Sequence, residues 1–259
     1  MSISKKLTVA IAALSIAALM GGCSSGSSDN ALERINDDGV LRAGIEGAYP
    51  PFNSFDENNE LIGFDVDITN AIAERLGSTV EFVPTPWDSI IGGLNAGKYD
   101  LVISSLTITD ERSVKVDFTE PYYHTGTQIF APEVNTISNT DDLAGFVVGV
   151  TLGTTFEQMA LDRGAKVRTY KSDQLAMEDL NTGRIDAVIT DGPVGLAIVA
   201  EREFPIIAFG ERISNPAAGI AVDKGQSELL AAVNAALEEM KADGTYEEIS
   251  TKWFGADIR

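Results

Sequence analysis

The chain has 259 residues, 44% of them hydrophobic, enough for one large core or two smaller ones. Its formal charge of −20 makes nucleic acid a poor partner. A single cysteine, Cys23, excludes an internal disulfide, and one histidine, His124, excludes zinc clusters and Cys–His pairs, so neither a metal nor another cofactor is expected.

The first 22 residues stand apart. Lys5 and Lys6 precede an apolar run of 14 residues, Leu7 to Met20, which is shorter than the ~20 a membrane span needs. A basic start, an apolar middle and small residues at the end predict a secretory signal peptide over residues 1–22. Gly21-Gly22-Cys23 resembles the lipobox of bacterial lipoproteins, in which the cysteine is lipidated, although Met20 stands where leucine is usual. Residues 23–38 are then expected to form a polar tether, starting Ser24-Ser25-Gly26-Ser27-Ser28. Loss of the leader takes Lys5 and Lys6 with it and leaves 17 basic against 39 acidic residues, net −22.

Short strand patterns then alternate with helical ones: Val40–Ile45 and Phe64–Leu76, Val80–Val83 and Trp87–Asn95, then Leu101–Ser104. The alternation restarts with Phe146–Val150, Phe156–Arg163, Val167–Tyr170, Asp173–Leu180 and Ile185–Thr190. Such alternation predicts parallel sheets covered on both faces. Residues 95–104, NAGKYDLVIS, are echoed by residues 181–190, NTGRIDAVIT: a helix-ending glycine running into a buried strand. The echo predicts two similar α/β lobes. A further strand at Gly219–Val222 and helices at Ser227–Ala242 and Tyr246–Trp253 overload the second half unless the tail returns to the first lobe. Two crossings, near Asp117–Tyr122 and Ser214–Ala217, would then form a hinge over a cleft, with residues 39–119 plus 216–259 in one lobe and 120–215 in the other.

Gly92 to Lys98 fits part of a phosphate loop, but Tyr99 replaces the required hydroxyl residue and the run leads from helix to strand, so phosphate binding is rejected. His124 is read as structural. The stretch Ile103 to Arg112, ISSLTITDER, admits two readings. One is a capped turn with Thr109 as the cap; the other is a carboxylate receptor with Arg112 as its bidentate donor. Ligands of open α/β sheets bind beyond the carboxyl ends of strands. Those ends carry Glu46 with Tyr49 and Phe52, then Ser104, Ser105 and Thr107, then Thr151, Thr154 and Thr155 opening a helix, then Asp191. With Trp87 they offer a guanidinium, helix amides, a carboxylate and aromatic walls. A zwitterion with a side chain is the simplest molecule to use them all.

These stretches also carry a resemblance. LRAGIEGAYPPF, LIGFDVDITNAIAERLG, TPWDSIIGGLNAGKYDLVISSLTITDERSVKVDFTEPYY, VVGVTLGTT, GRIDAVITD and ADGTYEEISTKWFG together resemble the bacterial extracellular solute-binding proteins of family 3, which bind polar amino acids. The resemblance implies a two-lobe periplasmic-binding-protein fold of type II that closes on an amino acid and presents it to an ABC permease. It implies that Arg112 grips the α-carboxylate, helped by the backbone N–H groups of Thr107 and Thr155. Asp191 would take the α-ammonium with the Thr107 hydroxyl and the Ser105 carbonyl. Tyr49, Phe52, Trp87 and Ser104 would line the side-chain pocket, with Glu46, Thr151 and Phe156 at its far end.

The expected protein is therefore a non-enzymatic monomer, lipid-anchored in the periplasm or at the cell surface, with no catalytic residues. Glu46 and the aromatic walls favour cationic amino acids, then neutral polar ones, then acidic ones, because no second arginine stands in a matching position. Two rivals remain. A dehydratase-like enzyme would need an acid–base pair, for which Glu46 and Asp191 are the candidates. A ligand-sensing receptor would be expected to carry a membrane or signalling segment after Arg259.

Overall fold

The structure, a computed structural model, describes residues 30–259. The expected leader and Cys23 lie outside these residues. The first part runs α1 (Ala31–Asp38), β1 (Val40–Ile45), β2 (Ala48–Tyr49), β3 (Asn53–Phe55), β4 (Leu61–Ile62), α2 (Phe64–Arg75) and β5 (Thr79–Pro84). A 3-10 turn at Trp87–Ser89 leads into α3 (Ile90–Asn95), β6 (Leu101–Val102), α4 (Asp110–Ser113), β7 (Val116–Phe118) and β8 (Tyr123–His124). Next come β9 (Thr127–Pro132), β10 (Val147–Thr151), α5 (Thr155–Asp162), β11 (Lys166–Tyr170), α6 (Asp173–Asn181), β12 (Ala187–Asp191) and α7 (Gly192–Arg202). The chain closes with β13 (Ile206–Ser214), β14 (Ala217–Ala218), β15 (Ala221–Asp223), α8 (Ser227–Asp243) and α9 (Thr245–Phe254).

Among the described residues the strands build two five-stranded sheets, ordered β5-β1-β6-β15-β7 and β11-β10-β12-β9-β13. The centre of each is parallel: β1 lies between β5 and β6, and β10 between β11 and β12. From the tail, β15 enters the first sheet antiparallel to both β6 and β7. The chain leaves the first sheet after β7 through β8 and returns from β13 through β14. These two connecting strands pair with each other, Ala217 opposite His124 and Ala218 opposite Tyr123. His124 is exposed on that ribbon.

The sequence echo corresponds to one physical device used in both sheets. Gly97 and Gly183 end their helices with φ of 68° and 71°, a left-handed conformation that glycine adopts without steric cost. Three residues later an aspartate ties strand to strand. Arg42 N donates to Asp100 Oδ2 at 2.8 Å, and Val147 N donates to Asp186 Oδ2 at 2.7 Å. The register that follows is equivalent, with Ala43 opposite Leu101 and Val148 opposite Ala187.

The rejected phosphate loop has a packing role. A Cβ on Gly93 would lie 2.1 Å from the Tyr99 hydroxyl, and one on Gly44 2.5 Å from the Tyr99 ring. Both glycines clasp the buried Tyr99 between α3 and β1. The expected tether requires a correction. Its residues 31–38 are α1, capped by Asn30, whose Oδ1 accepts from Leu32 N at 3.0 Å, and ended by Gly39 at φ 67°. Ile35 is fully buried and Arg34 pairs with Asp100, so this polar-looking segment is held to the first sheet by one apolar anchor and one ion pair.

Candidate functional site

The carboxyl ends of the two parallel centres face each other across a pocket. From the first sheet's side come Glu46, Tyr49, Trp87, Ser105, Thr107 and Arg112, and from the second Thr151, Thr154, Thr155, Phe156 and Asp191.

The capped turn expected in ISSLTITDER is present, and Arg112 stands at the pocket. Thr109 caps α4, its Oγ1 accepting from Arg112 N at 3.2 Å, and that capped turn delivers the Arg112 side chain into the pocket. Arg112 is 8% exposed; Nη1 donates to Thr107 O at 2.9 Å and Nη2 to Gly153 O across the cleft at 3.2 Å. The guanidinium lies 5.4 Å from the Trp87 ring centroid, a cation–π contact that helps fix its plane. Burial lowers its pKa to about 10, which leaves it charged at neutral pH. No described carboxylate forms a salt bridge with it. The preceding loop is held to the connecting strand β14, because Ile108 N donates to Ala217 O at 3.0 Å and Gly219 N to Leu106 O at 3.0 Å.

Asp191 ends β12 and opens α7 without capping it by its side chain. It is 3% exposed; Oδ2 accepts from the Tyr49 hydroxyl at 2.8 Å, while Oδ1 is buried with no partner. An unpaired buried carboxylate oxygen is costly, so it marks a place prepared for a donor. Burial pushes this carboxyl up to about 7, opposed by the Tyr49 bond, reinforced by Asp173 and eased by the nearby Thr125 hydroxyl, itself buried without a hydrogen-bond partner. A guanidinium free of carboxylates and a carboxylate with a free oxygen thus line one pocket, one from each sheet. That arrangement is chemically suited to a zwitterion.

The sequence of residues 41–256 matches the family of bacterial extracellular solute-binding proteins, family 3. The chain belongs to this family. The L-cystine-binding protein TcyJ of Escherichia coli K12 is 39% identical over 247 residues, covering 93% of each chain. The L-arginine-binding protein of Pseudomonas aeruginosa is 38% identical over 238 residues, 85% of this chain and 90% of that protein. The structure of an ancestral arginine-binding protein bound to glutamine superposes with a TM-score of 0.81 at 47% identity, covering 84% of this chain and 98% of that one. The fold is that of the type II periplasmic amino-acid-binding proteins.

Within this solute-binding protein most of the expected residues converge, but two stand back from the pocket. Phe52 is fully buried behind the wall, stacked on Tyr123 at 4.8 Å and tilted against Tyr49 at 5.9 Å. It supports Tyr49 and does not itself line the cavity. Ser104 is 1% exposed, and its Oγ accepts from Glu46 N at 3.0 Å, so it fixes the strand end that carries Glu46. Both lie in turns past a strand end, where the local backbone aims the side chain inward, Phe52 into the aromatic cluster and Ser104 onto the Glu46 amide.

Three groups behind the wall escape a reading of the sequence. Asp65, in the first turn of α2, accepts from Asn53 Nδ2 at 2.8 Å, Ser105 Oγ at 3.2 Å and the Tyr122 hydroxyl at 2.7 Å. Asn53 in turn accepts from Gly47 N at 2.8 Å. This network fixes Ser105 in its left-handed conformation, φ 55°, and joins both pocket loops of the first sheet to the segment entering β8. Asp65 is fully buried and pushed up to about 7 by that burial, against the pull of its donors. Asp173 accepts from Thr151 Oγ1 at 2.5 Å and Thr190 Oγ1 at 2.7 Å. In sequence Asp65 and Asp173 read as ordinary first-turn acids that complement a helix dipole. Burial alone distinguishes them.

Proposed function

We propose that this protein binds an amino acid between its lobes, cationic amino acids in preference, and delivers it to the permease of an ABC importer. The observation that carries the reading is the presence, in one pocket, of an Arg112 guanidinium without a salt-bridge partner and an Asp191 oxygen without a hydrogen-bond partner. Arg112 would hold the α-carboxylate in a bidentate bond, with the N–H groups of Thr107 and Thr155 beside it. Asp191 would take the α-ammonium, together with the Thr107 hydroxyl and the Ser105 carbonyl. The side chain would run between Tyr49, Trp87 and Phe156 toward Glu46 and Thr151.

Charge supports the cationic preference. The pocket and the layer behind it hold the carboxyl groups of Glu46, Asp65, Asp173 and Asp191 against Arg112 alone, so a second cationic group on the ligand can be offset by ionising one of them, and a second carboxylate finds no further cation.

The lobes would divide as residues 39–119 plus 216–259 and 120–215, with β8 and β14 as the hinge. Ligand touching both would favour closure. No catalytic step is assigned, because Glu46 and Asp191 are both committed to binding. A monomer held in the periplasm or at the cell surface by a lipid on Cys23 suits the leader pattern and the acidic body. A thermal-shift screen over the amino acids and cystine tests the reading, since ligand stabilises by mass action. Stabilisation by arginine, lysine or ornithine at one-to-one stoichiometry, without turnover, is the expected result. A response to none of them, or conversion of a small carboxylic acid, removes it.

A further inference from the structure

Glu46 is the one carboxylate at the far wall of the pocket that has no internal partner. Its backbone N is fixed by Ser104 Oγ at 3.0 Å, yet its side chain makes no hydrogen bond or salt bridge among the described residues. The charged groups around it come from four elements. Arg112 on α4 is occupied by Thr107 O, Gly153 O and the Trp87 ring. Tyr49 on β2 donates to Asp191 at the end of β12. On α5, Glu157 is turned to Gly153 N at 3.2 Å. There remains Asp173 at the start of α6, 2% exposed and not part of the pocket wall. Both its oxygens are taken, by Thr151 and Thr190, so it is fixed in place and cannot swing toward a ligand. Thr151 is the partition between Asp173 and the cavity.

We infer that Asp173, without touching ligand, sets the charge preference of the far wall by acting on Glu46, so that the choice between a cationic and a neutral side chain follows the protonation of Glu46. This rests on the amino-acid reading proposed above and adds to it. Thr151 lines the same pocket as Glu46 and bonds Asp173 directly, which puts the two carboxyls one side chain apart in the wall. Burial, and then the Asp173 charge, push Glu46 up to about 8; burial raises Asp173 as well, while the Thr151 and Thr190 hydroxyls favour its ionised form. A neutral Glu46 can donate a hydrogen bond to a neutral oxygen; an ionised one accepts from a guanidinium or ammonium. Binding of a cationic side chain then expels the proton, and binding of a neutral one does not. Asp191 shifts too, but it faces the α-ammonium common to every amino acid, so its effect cancels between two ligands that differ only in the side chain.

Arginine and its neutral isostere citrulline are the probes, measured by titration calorimetry from pH 6 to pH 9. For a group near the value above, the preference for arginine over citrulline should rise roughly 30- to 100-fold across that range. In buffers of different ionisation enthalpy, arginine should release up to about one proton more than citrulline at pH 7. Glu46→Gln should make the preference independent of pH. Asp173→Asn keeps the volume, and the hydroxyls of Thr151 and Thr190 can turn to serve an amide; it should move the midpoint to lower pH and reduce the preference at high pH. A purely structural role for Asp173 would weaken both ligands alike and leave the midpoint in place. A preference flat with pH in the parent, an unmoved midpoint in Asp173→Asn, or binding of one ligand alone at every pH overturns the inference. Binding of neither removes the proposed function itself, and the inference with it.

Discussion

The Tyr49 hydroxyl donates to Asp191 Oδ2 at 2.8 Å, a bond from β2 beside the first sheet to the end of β12 in the second. It holds the cleft shut from inside the pocket and leaves Oδ1 of the same carboxylate as the open acceptor. Closure and ligand recognition therefore share one group. Tyr49→Phe keeps the ring and its contact with Phe52 but removes the donor. A single hydrogen bond to a charged group contributes about 1.5–3 kcal/mol, partly regained by water in the open form, so binding should weaken roughly 3- to 30-fold. Calorimetry reads it, and an unchanged affinity shows that the bond plays no part in the closed state.

The guanidinium has a sharper test. Arg112→Lys keeps the charge but loses the planar fork and the flat face against Trp87. Affinity should fall roughly 10- to 1,000-fold, about 1.5–4 kcal/mol. Asp191→Asn should do similar damage, since an amide cannot offset an ammonium. Both variants are measured against the best ligand of the screen. Parent-like binding by Arg112→Lys would show that the carboxylate is held elsewhere.

How much of this was open to a reader of the sequence depends on which residues repeat a pattern. The parallel centres were legible, because Val40–Ile45 and Ala187–Asp191 are short apolar runs after helix-ending glycines. The helix α1 was not: ALERINDD has one strongly buried apolar residue, Ile35, and its hold on the sheet is a long-range ion pair. Strands β9 and β13 pair antiparallel over Thr127–Pro132 and Ile206–Ser214, with partners 74 to 87 residues apart in sequence, beyond any local signal. In the site, Arg112 and Asp191 were legible from their places at strand ends. Phe52 and Ser104 were misplaced because both lie in turns, where the direction of a side chain does not follow from its spacing along a strand. Asp65 and Asp173 were invisible, because nothing in sequence separates a buried first-turn acid from a solvated one.

The glycines of the abandoned phosphate loop give a paired prediction. A Cβ on Gly92 meets nothing within 4 Å, whereas one on Gly93 meets the Tyr99 hydroxyl. Gly92→Ala should be neutral or stabilising by up to about 1 kcal/mol, the usual gain for alanine in a helix. Gly93→Ala forces the buried Tyr99 to shift and should cost about 1–3 kcal/mol. Urea denaturation of the two variants checks the difference. Equal stabilities would mean that Tyr99 moves aside freely.

Anchoring is read from the Gly21-Gly22-Cys23 pattern. Cys23→Ser should release the protein from membranes into the soluble fraction with ligand affinity unchanged. Intact-mass measurement on the mature parent decides the point: a cysteine without added lipid mass ends the lipoprotein proposal.

The last prediction concerns stability and pH, and its direction is unusual for carboxylates. Burial holds Asp65 at about 7, Asp191 at about 7 and Glu46 at about 8, whereas in the unfolded chain such groups titrate near 4. Between those limits the folded state binds protons that the unfolded state has released. Stability must then fall as pH rises through the window, and the loss is complete only above the folded values. Asp243, held down to about 2 by Thr245, works in the opposite sense, but only below pH 4. Ligand-free protein should therefore resist urea better at pH 5.5 than at pH 8, by on the order of 2 kcal/mol or more. Saturation with a cationic amino acid should shrink the difference, because the ligand's charges stabilise ionised Asp191 and Glu46, and the remainder belongs to Asp65 and to Asp173, whose carboxyl burial also raises. Asp65→Asn should lower stability at both pH values, since three donors converge on a carboxylate and an amide has one oxygen to offer them. A denaturation midpoint higher at pH 8 than at pH 5.5 in the unliganded parent contradicts the proton count.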